Sequence, residues 1–116
     1  MRSAMMFAVP LFVSGCVGYA CTDLMVYSVS VSVVDATGAP YVPEDVTYSV
    51  DGGPETSCEP GFGVEYAHHF ACGFDEPGDF VIRVYDAGAV VAEEAVEVRQ
   101  TFDRCHVEPV ELEIEV

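Results

Sequence analysis

The sequence has no lysine, no tryptophan and only four arginines against 20 acidic residues, which gives a formal net charge of −16 at pH 7. Neutralising the phosphates of a nucleic acid requires a basic surface that this composition does not provide. Docking of a polybasic segment to anionic lipid headgroups is excluded for the same reason. We therefore expect partners that are neutral, cationic or bridged to the protein by divalent ions.

The short motifs of common enzyme classes are also missing. The chain contains no G-x-S-x-G nucleophile elbow and no phosphate-binding P-loop. Glu93 and Glu94 are adjacent, and a strand would point their carboxylates to opposite faces, so they do not form an acid–base pair. We expect a protein that is not an enzyme and that has no catalytic residues, no cofactor and no resident metal.

No segment from residue 25 onward has the apolar spacing of a helix. Apolar residues instead alternate with a period of two, which is typical of strands that bury one face. The clearest example is residues 110–116, where four apolar residues alternate with three glutamates. Further sets of inward-facing residues are predicted within 25–33, 46–50, 62–70 and 80–84. Turn signals separate six or seven such strands, which indicates a single all-β, two-sheet, antiparallel-type sandwich.

The N-terminal segment has the features of an export signal. Arg2 precedes an apolar run of ten residues from Ala4 to Val13. As a helix this run would be about 15 Å long, roughly half of the thickness of the hydrocarbon core of a membrane. The segment is therefore too short to be a stable membrane span, and we predict a secretory signal.

The tetrapeptide Val-Ser-Gly-Cys at positions 13–16 resembles the lipobox of bacterial lipoproteins. This resemblance implies a diacylglyceryl group on Cys16, which would anchor the chain to the bilayer. Val17 replaces the aspartate that is associated with inner-membrane retention, which favours the outer membrane. Ordinary signal cleavage after Ala20 is the alternative, and it would leave Cys21 as the first residue and no lipid. The predicted signal peptide, tether and β-sandwich domain cover residues 1–15, 16–24 and 25–116.

Four of the five cysteines remain once Cys16 is assigned to the lipid, and an exported chain meets oxidising conditions that favour disulfides. Four cysteines allow three pairings. We pair Cys58 with Cys72, because closing this short loop contributes about 3 kcal/mol. We pair Cys21 with Cys105, because each lies five residues before a strand, and parallel, adjacent first and last strands would bring them together.

A metal site is the alternative role for these residues, together with the three histidines. His68 and His69 are consecutive, so a strand would point them to opposite faces and only one of them could join Cys72. Cys105 and His106 lack the two-residue gap that zinc sites favour. We therefore favour disulfides and expect no metal ligands.

Three turn-and-strand motifs carry a family resemblance: Asp35-x-x-Gly38-x-Pro40, Val46-Thr47-Tyr48 and Pro77-Gly78-x-Phe80-x-Ile82-x-Val84. Together they resemble the carboxypeptidase regulatory-like, transthyretin-related β-sandwich, over residues 25–116. The resemblance implies an immunoglobulin-like or prealbumin-like sandwich. It also implies an accessory or binding module of a bacterial lipoprotein, without catalytic activity.

We therefore expect a lipid-anchored domain of the cell envelope that contacts an envelope protein or a carbohydrate through its loops. Tyr41 and Tyr48 are candidates for lining such a surface, although a position in the core is the alternative for both. The candidate loops are residues 35–45, 51–63 and 86–90.

Binding of calcium or another cation is the alternative function. It would require the carboxylates of Asp35, Glu44, Asp45 and Asp51 to converge as hard oxygen ligands. Their spacing does not match an EF-hand loop.

Overall fold

The structure is a computed structural model that describes residues 25–116. The predicted signal peptide, the lipid on Cys16 and the tether lie outside these described residues, and so does Cys21. Within residues 25–116, no helix is long and apolar enough to cross a membrane.

The described residues form an all-β sandwich of two four-stranded sheets, which confirms the predicted fold class. Six strands have six to ten residues and two have only two residues. In chain order they are β1 (Tyr27–Val34), β2 (Asp45–Val50), β3 (Thr56–Ser57), β4 (Glu59–Pro60), β5 (His69–Phe74), β6 (Gly78–Asp86), β7 (Ala89–Val98) and β8 (Val110–Glu115). The strand order is β4-β5-β1-β8 in the first sheet and β3-β2-β6-β7 in the second sheet.

The inward faces of the two sheets form the core. Phe80, Ile82 and Val84 of β6 are all 0% exposed, as the alternation of this strand predicts. The odd-numbered valines of β1 (29–33) are buried in the same cluster. Because full burial of one such side chain contributes about 1.5–3 kcal/mol, this cluster is the main source of stability.

The first and last strands are parallel neighbours, with Val29 opposite Val110. The other strand pairs among the described residues are antiparallel. The parallel pair is the arrangement on which the predicted Cys21–Cys105 disulfide depends. Cys105 is disulfide-bonded, and its pairing with Cys21 stays a prediction because Cys21 lies outside the described residues.

The strand directions give the sandwich two ends. We name the end at which β1 begins the proximal end and the opposite end the distal end. The proximal end holds the connections at residues 51–55, 75–77 and 99–109. The distal end holds the connections at residues 35–44, 61–68 and 87–88.

The Cys58–Cys72 disulfide confirms the predicted pairing, with the two Cα atoms 4.6 Å apart. Cys58 lies where the chain crosses from β3 in the second sheet to β4 in the first sheet. Its backbone N–H donates to the carbonyl oxygen of Val46 at 2.8 Å. The disulfide therefore links this crossing to β5 and fixes the base of the loop at residues 61–68.

The predicted strand over residues 62–70 is wrong in its first part. A single turn of 3-10 helix occupies Val64–Tyr66, and strand β5 begins only at His69. Phe62 and Val64 are 93% and 92% exposed instead of buried. The physical reason is that β4 pairs with β5 through Pro60, so residues 61–68 have to form the connection between these two strands.

The alternation of the first strand fails at Ser28. This residue is 0% exposed, although its parity predicts the outer face, and Met25 and Tyr27 are 61% and 40% exposed although their parity predicts the core. The Ser28 hydroxyl accepts a hydrogen bond from the Glu76 N–H at 2.8 Å and donates one to the Glu76 carbonyl oxygen at 2.9 Å. These two bonds satisfy the polar groups that burial removes from water.

Candidate functional site

A groove crosses the outer face of the first sheet, and we name it the outer groove. Its floor is Ser30 and Ser32 of the central strand β1, which are small residues between the larger side chains of β5 and β8. The register places Ser32 opposite His69 on one side and opposite Glu113 on the other. The groove has an apolar half of about 610 Å³ and a polar half of about 590 Å³, and both halves include Ser30 and His69.

The apolar half lies toward the edge strand β4. Tyr27, Pro60, Phe62 and Ala71 line it, and Glu59 is the one carboxylate among its lining residues. The ring of Tyr27 also packs on Phe74, with centroids 4.6 Å apart. Aromatic surface that stays exposed beside a concave site is typical of surfaces that bind other molecules.

The loop that carries Phe62 is held in place at several points. The Gly61 N–H donates to the carbonyl oxygen of His69 at 2.9 Å. A Cβ atom at Gly61 would lie 2.5 Å from the backbone oxygen of Tyr66, so only glycine allows this close approach. The ring of Tyr66 lies against His69, with centroids 5.7 Å apart. Together with the disulfide at its base, these contacts present Phe62 and Val64 on a fixed loop.

The polar half of the groove lies toward the edge strand β8. Its lining includes His68 and His69, whose ring centroids are 4.1 Å apart, and the exposed carboxylates of Glu111 and Glu113. Ser32 Oγ lies 3.0 Å from Nδ1 of His69. Burial, followed by the charge of His69, lowers the pKa of His68 below its usual value. This half therefore offers carboxylates, a hydroxyl and imidazole nitrogens to a polar or cationic group.

Ser32 and His69 are hydrogen-bonded, and a hydroxyl and an imidazole in this arrangement serve as nucleophile and base in some hydrolases. Whether that chemistry is available depends on the groups around the pair. Strand β1 is paired on both sides at Ser32. Its backbone N–H groups therefore do not point into the groove as an oxyanion hole requires. The geometry favours binding over acyl transfer.

The residues considered for a zinc site are separated in the structure. Cys72 is buried in its disulfide with Cys58, and His68 and His69 lie at the outer groove. At the proximal end, Nδ1 of His106 lies 3.1 Å from both carboxylate oxygens of Asp75. Across residues 25–116, no group of three or more His, Cys, Asp and Glu residues is arranged to hold a metal ion.

The Asp75–His106 pair is a structural contact that the sequence pattern did not reveal. The backbone N–H groups of Val26 and Val107 also approach the Asp75 carboxylate, each at 3.3 Å. Partial burial opposes ionisation of Asp75, but the hydrogen bonds from His106, Val26 and Val107 outweigh it and lower the pKa of this carboxyl group. The pair therefore ties the residue before β1 to the connection that leads into β8.

The four carboxylates considered for calcium do not converge. One oxygen of Asp35 accepts hydrogen bonds within its own turn, from Thr37 and Ala39. Asp45 is the first residue of β2 and Asp51 directly follows its last residue, which separates them by roughly 20 Å. Each is engaged locally, Asp45 by Ser57 and Asp51 by the N–H of Asp79.

Two of the three predicted loops meet at the distal end. The Tyr41 hydroxyl donates to the carboxylate of Asp86, which raises the pKa of Tyr41, and Glu44 accepts a hydrogen bond from the Gly88 N–H at 3.0 Å. Tyr41 is partly buried against the core, and so is Tyr48, whose ring stacks on that of Phe80 at 5.5 Å. Neither tyrosine lines the outer groove. The third predicted loop, residues 51–63, does not lie at one end of the sandwich. Its first turn is at the proximal end, and only its last residues are at the distal end.

Phe62 and Tyr27 are the functional candidates that sequence reasoning assigned to the core instead. In the sequence, both residues occupy alternating positions of the kind that are buried in neighbouring strands. The alternation alone does not reveal that these two side chains are exposed. For Phe62 a signal was present, because Gly61 and Gly63 flank it and glycine on both sides of an aromatic residue indicates a turn. For Tyr27 the sequence gives no such signal.

A second polar cluster lies on the outer face of the second sheet, and its polar groups form hydrogen bonds and ion pairs with one another. Glu55 accepts hydrogen bonds from the hydroxyls of Tyr85 at 2.7 Å and Thr47 at 2.8 Å, and these bonds lower the pKa of Glu55. Arg83 lies between Glu55 and Glu93, at 3.5 Å and 2.9 Å. Because its charges already have partners, this face is a weaker binding candidate than the outer groove.

No family model, curated protein or solved structure matches this chain. The resemblance to the carboxypeptidase regulatory-like sandwich therefore stays a prediction.

Proposed function

We propose that this chain is a lipid-anchored interaction domain of the bacterial cell envelope, without catalytic activity, that contacts a partner protein through its distal end and outer groove. The observation that carries the proposal is the display of Phe62 and Val64, at 93% and 92% exposure, on a loop that several contacts hold in place. A domain without a binding role gains stability by burying such side chains. Their exposure on a fixed loop favours contact with another molecule.

The proposed anchor gives the domain an orientation. A lipid on Cys16 would attach the chain to the bilayer on the side of the proximal end, because β1 begins there. Strand β1 has eight residues and is therefore about 26 Å long. Phe62 lies in a connection at the distal end, so in an anchored chain the loop that carries it would lie on the side away from the point of attachment. Val17 after the lipidated cysteine favours the outer membrane as the location.

The partner is better described as a protein than as a bilayer. Anionic headgroups would repel a chain with a formal net charge of −16. The proposed orientation also keeps the exposed loop away from the surface that holds the anchor. A protein of the envelope can offer both apolar and charged side chains to the same groove.

Affinity purification from the cells that produce the chain tests this proposal. We expect one protein to co-purify with the full-length chain in a roughly stoichiometric amount. The recovered amount of this protein should fall about tenfold or more with Phe62→Ser. Phe102→Ser is the matched control, because Phe102 is equally exposed and belongs to the proximal end. Retention of the same protein by both variants, or the absence of any protein from the unmodified chain, would contradict the proposal.

A further inference from the structure

The outer groove combines apolar surface with negative charge that has no partner. Glu59, Glu111 and Glu113 are exposed lining residues, and none of their side-chain carboxylates has a hydrogen bond or an ion pair within residues 25–116. The three described arginines lie elsewhere, one on the second sheet and two at the proximal end. The groove therefore offers unneutralised carboxylates on both sides of its floor.

The dimensions of the groove fit an extended segment of polypeptide. The groove runs across four strands, from Glu113 on β8 to Pro60 on β4. Three spacings between neighbouring strands amount to about 14 Å. At about 3.3 Å per residue, an extended chain of four to six residues covers this distance.

From this shape and charge, we propose that the outer groove binds a short, extended, basic segment of a partner protein. An apolar or aromatic side chain of that segment occupies the apolar half, against Tyr27, Pro60 and Phe62. Its lysine or arginine side chains face Glu111 and Glu113 in the polar half. This inference rests on the proposed function, and it adds the chemical class of the partner.

Charge complementarity favours a basic segment over a second copy of the chain or a carbohydrate as the occupant of the groove. A second copy of the chain would bring the same negative charge to the groove, so self-association is disfavoured. A neutral carbohydrate could stack on Tyr27 and Phe62 but would leave the glutamates unneutralised. A basic segment satisfies both halves at once, since cations are attracted both to carboxylates and to aromatic faces.

The test measures binding of a defined probe to the purified full-length chain. The probe is a fluorescent peptide of sequence Lys-Val-Lys-Phe-Lys-Val-Lys, and the readout is its anisotropy at two salt concentrations. We expect saturable binding that weakens at higher salt. Phe62→Ser should raise the Kd about tenfold or more, and so should the double variant Glu111→Gln/Glu113→Gln.

Matched controls separate recognition from general attraction. Phe102→Ser and Glu94→Gln/Glu108→Gln change exposed residues outside the groove, so the Kd of the peptide should stay within about twofold of that of the unmodified chain. A peptide with glutamine at every lysine position, and one with serine at the valine and phenylalanine positions, should bind at least about tenfold more weakly. Circular dichroism spectra that match the unmodified chain show that each variant is folded.

Several results would overturn the inference. One is the absence of saturable binding, and another is an affinity for the glutamine peptide equal to that for the lysine peptide. A third is a loss of affinity in Glu94→Gln/Glu108→Gln equal to that in Glu111→Gln/Glu113→Gln. Binding of a neutral chitin oligosaccharide without binding of the basic peptide would instead assign the groove to carbohydrate. If Phe62→Ser loses the co-purified protein while the peptide fails to bind, the proposed function stands and only the basic class of partner is wrong.

Discussion

Ser28 shows how a single buried hydroxyl group joins two parts of the fold. Its hydroxyl bonds to both backbone polar groups of Glu76, which lies 48 residues further along the chain. Ser28 is 0% exposed, and both bonds are partly buried. The cost of removing the hydroxyl is therefore the cost of leaving a backbone N–H and a backbone carbonyl unsatisfied.

We predict that Ser28→Ala lowers the free energy of unfolding by about 1–3 kcal/mol, because two backbone groups lose their partner. Equilibrium urea denaturation of the full-length chain measures this change. Ser30→Ala is the control, since Ser30 is exposed, and its effect should stay within about 0.5 kcal/mol. Equal stability of the two variants would show that the Ser28 bonds contribute nothing.

The position of Ser28 could not be predicted from the sequence. Alternation assigns a serine between two apolar residues to the solvent face, and that rule is correct for Ser30. Burial of Ser28 depends on a partner that only the tertiary fold brings near. The exposure of Tyr27 was missed for the same reason, and with it a part of the apolar half of the groove.

At the scale of elements, the strands with regular alternation and clear turn signals were predictable. The Pro-Gly-Asp signal at residues 77–79 opens strand β6, which buries every second residue from Phe80 to Val84, and β8 points its glutamates outward as predicted. The parallel adjacency of β1 and β8 was the condition for the predicted Cys21–Cys105 pairing, and the structure meets this condition. The loop at residues 61–68 was not predicted, because β4 has only two residues and leaves almost no periodicity to detect.

We predict that the double variant Cys58→Ala/Cys72→Ala lowers the free energy of unfolding by about 3 kcal/mol, because the unfolded chain gains the entropy that the closed loop removes. Urea denaturation without reducing agent measures the change. Because Cys58 and Cys72 are both removed, the reactive thiol that a single substitution would leave is avoided. An unchanged urea midpoint would contradict a stabilising role for this disulfide.

At the scale of the whole molecule, the net charge and the edge strands bear on whether the domain pairs with its own copies. Strand β7 is an edge strand of ten residues with exposed Val90 and Val91, which is the kind of edge that can pair with another chain. Its register places Glu94 opposite the inward-facing Ile82, so a charge interrupts the apolar face of this edge. Together with the net charge, this arrangement favours partners of different chemistry over self-association.

The proposed anchor would decide how this surface is presented. If the chain is held at Cys16, the proximal end faces the bilayer, and the distal loops with the outer groove face the other molecules of the envelope. If the chain is not anchored, the two ends are equivalent with respect to the membrane. Nothing then directs the distal loops away from the bilayer, so the orientation of the domain depends on the anchor.

Intact mass spectrometry of the chain extracted from the membrane fraction of the producing cells tests the proposed lipid anchor most directly. We predict a polypeptide that begins at Cys16 and carries the added mass of a diacylglyceryl group. An unmodified polypeptide that begins at Cys21 and is recovered from the soluble fraction would contradict the account.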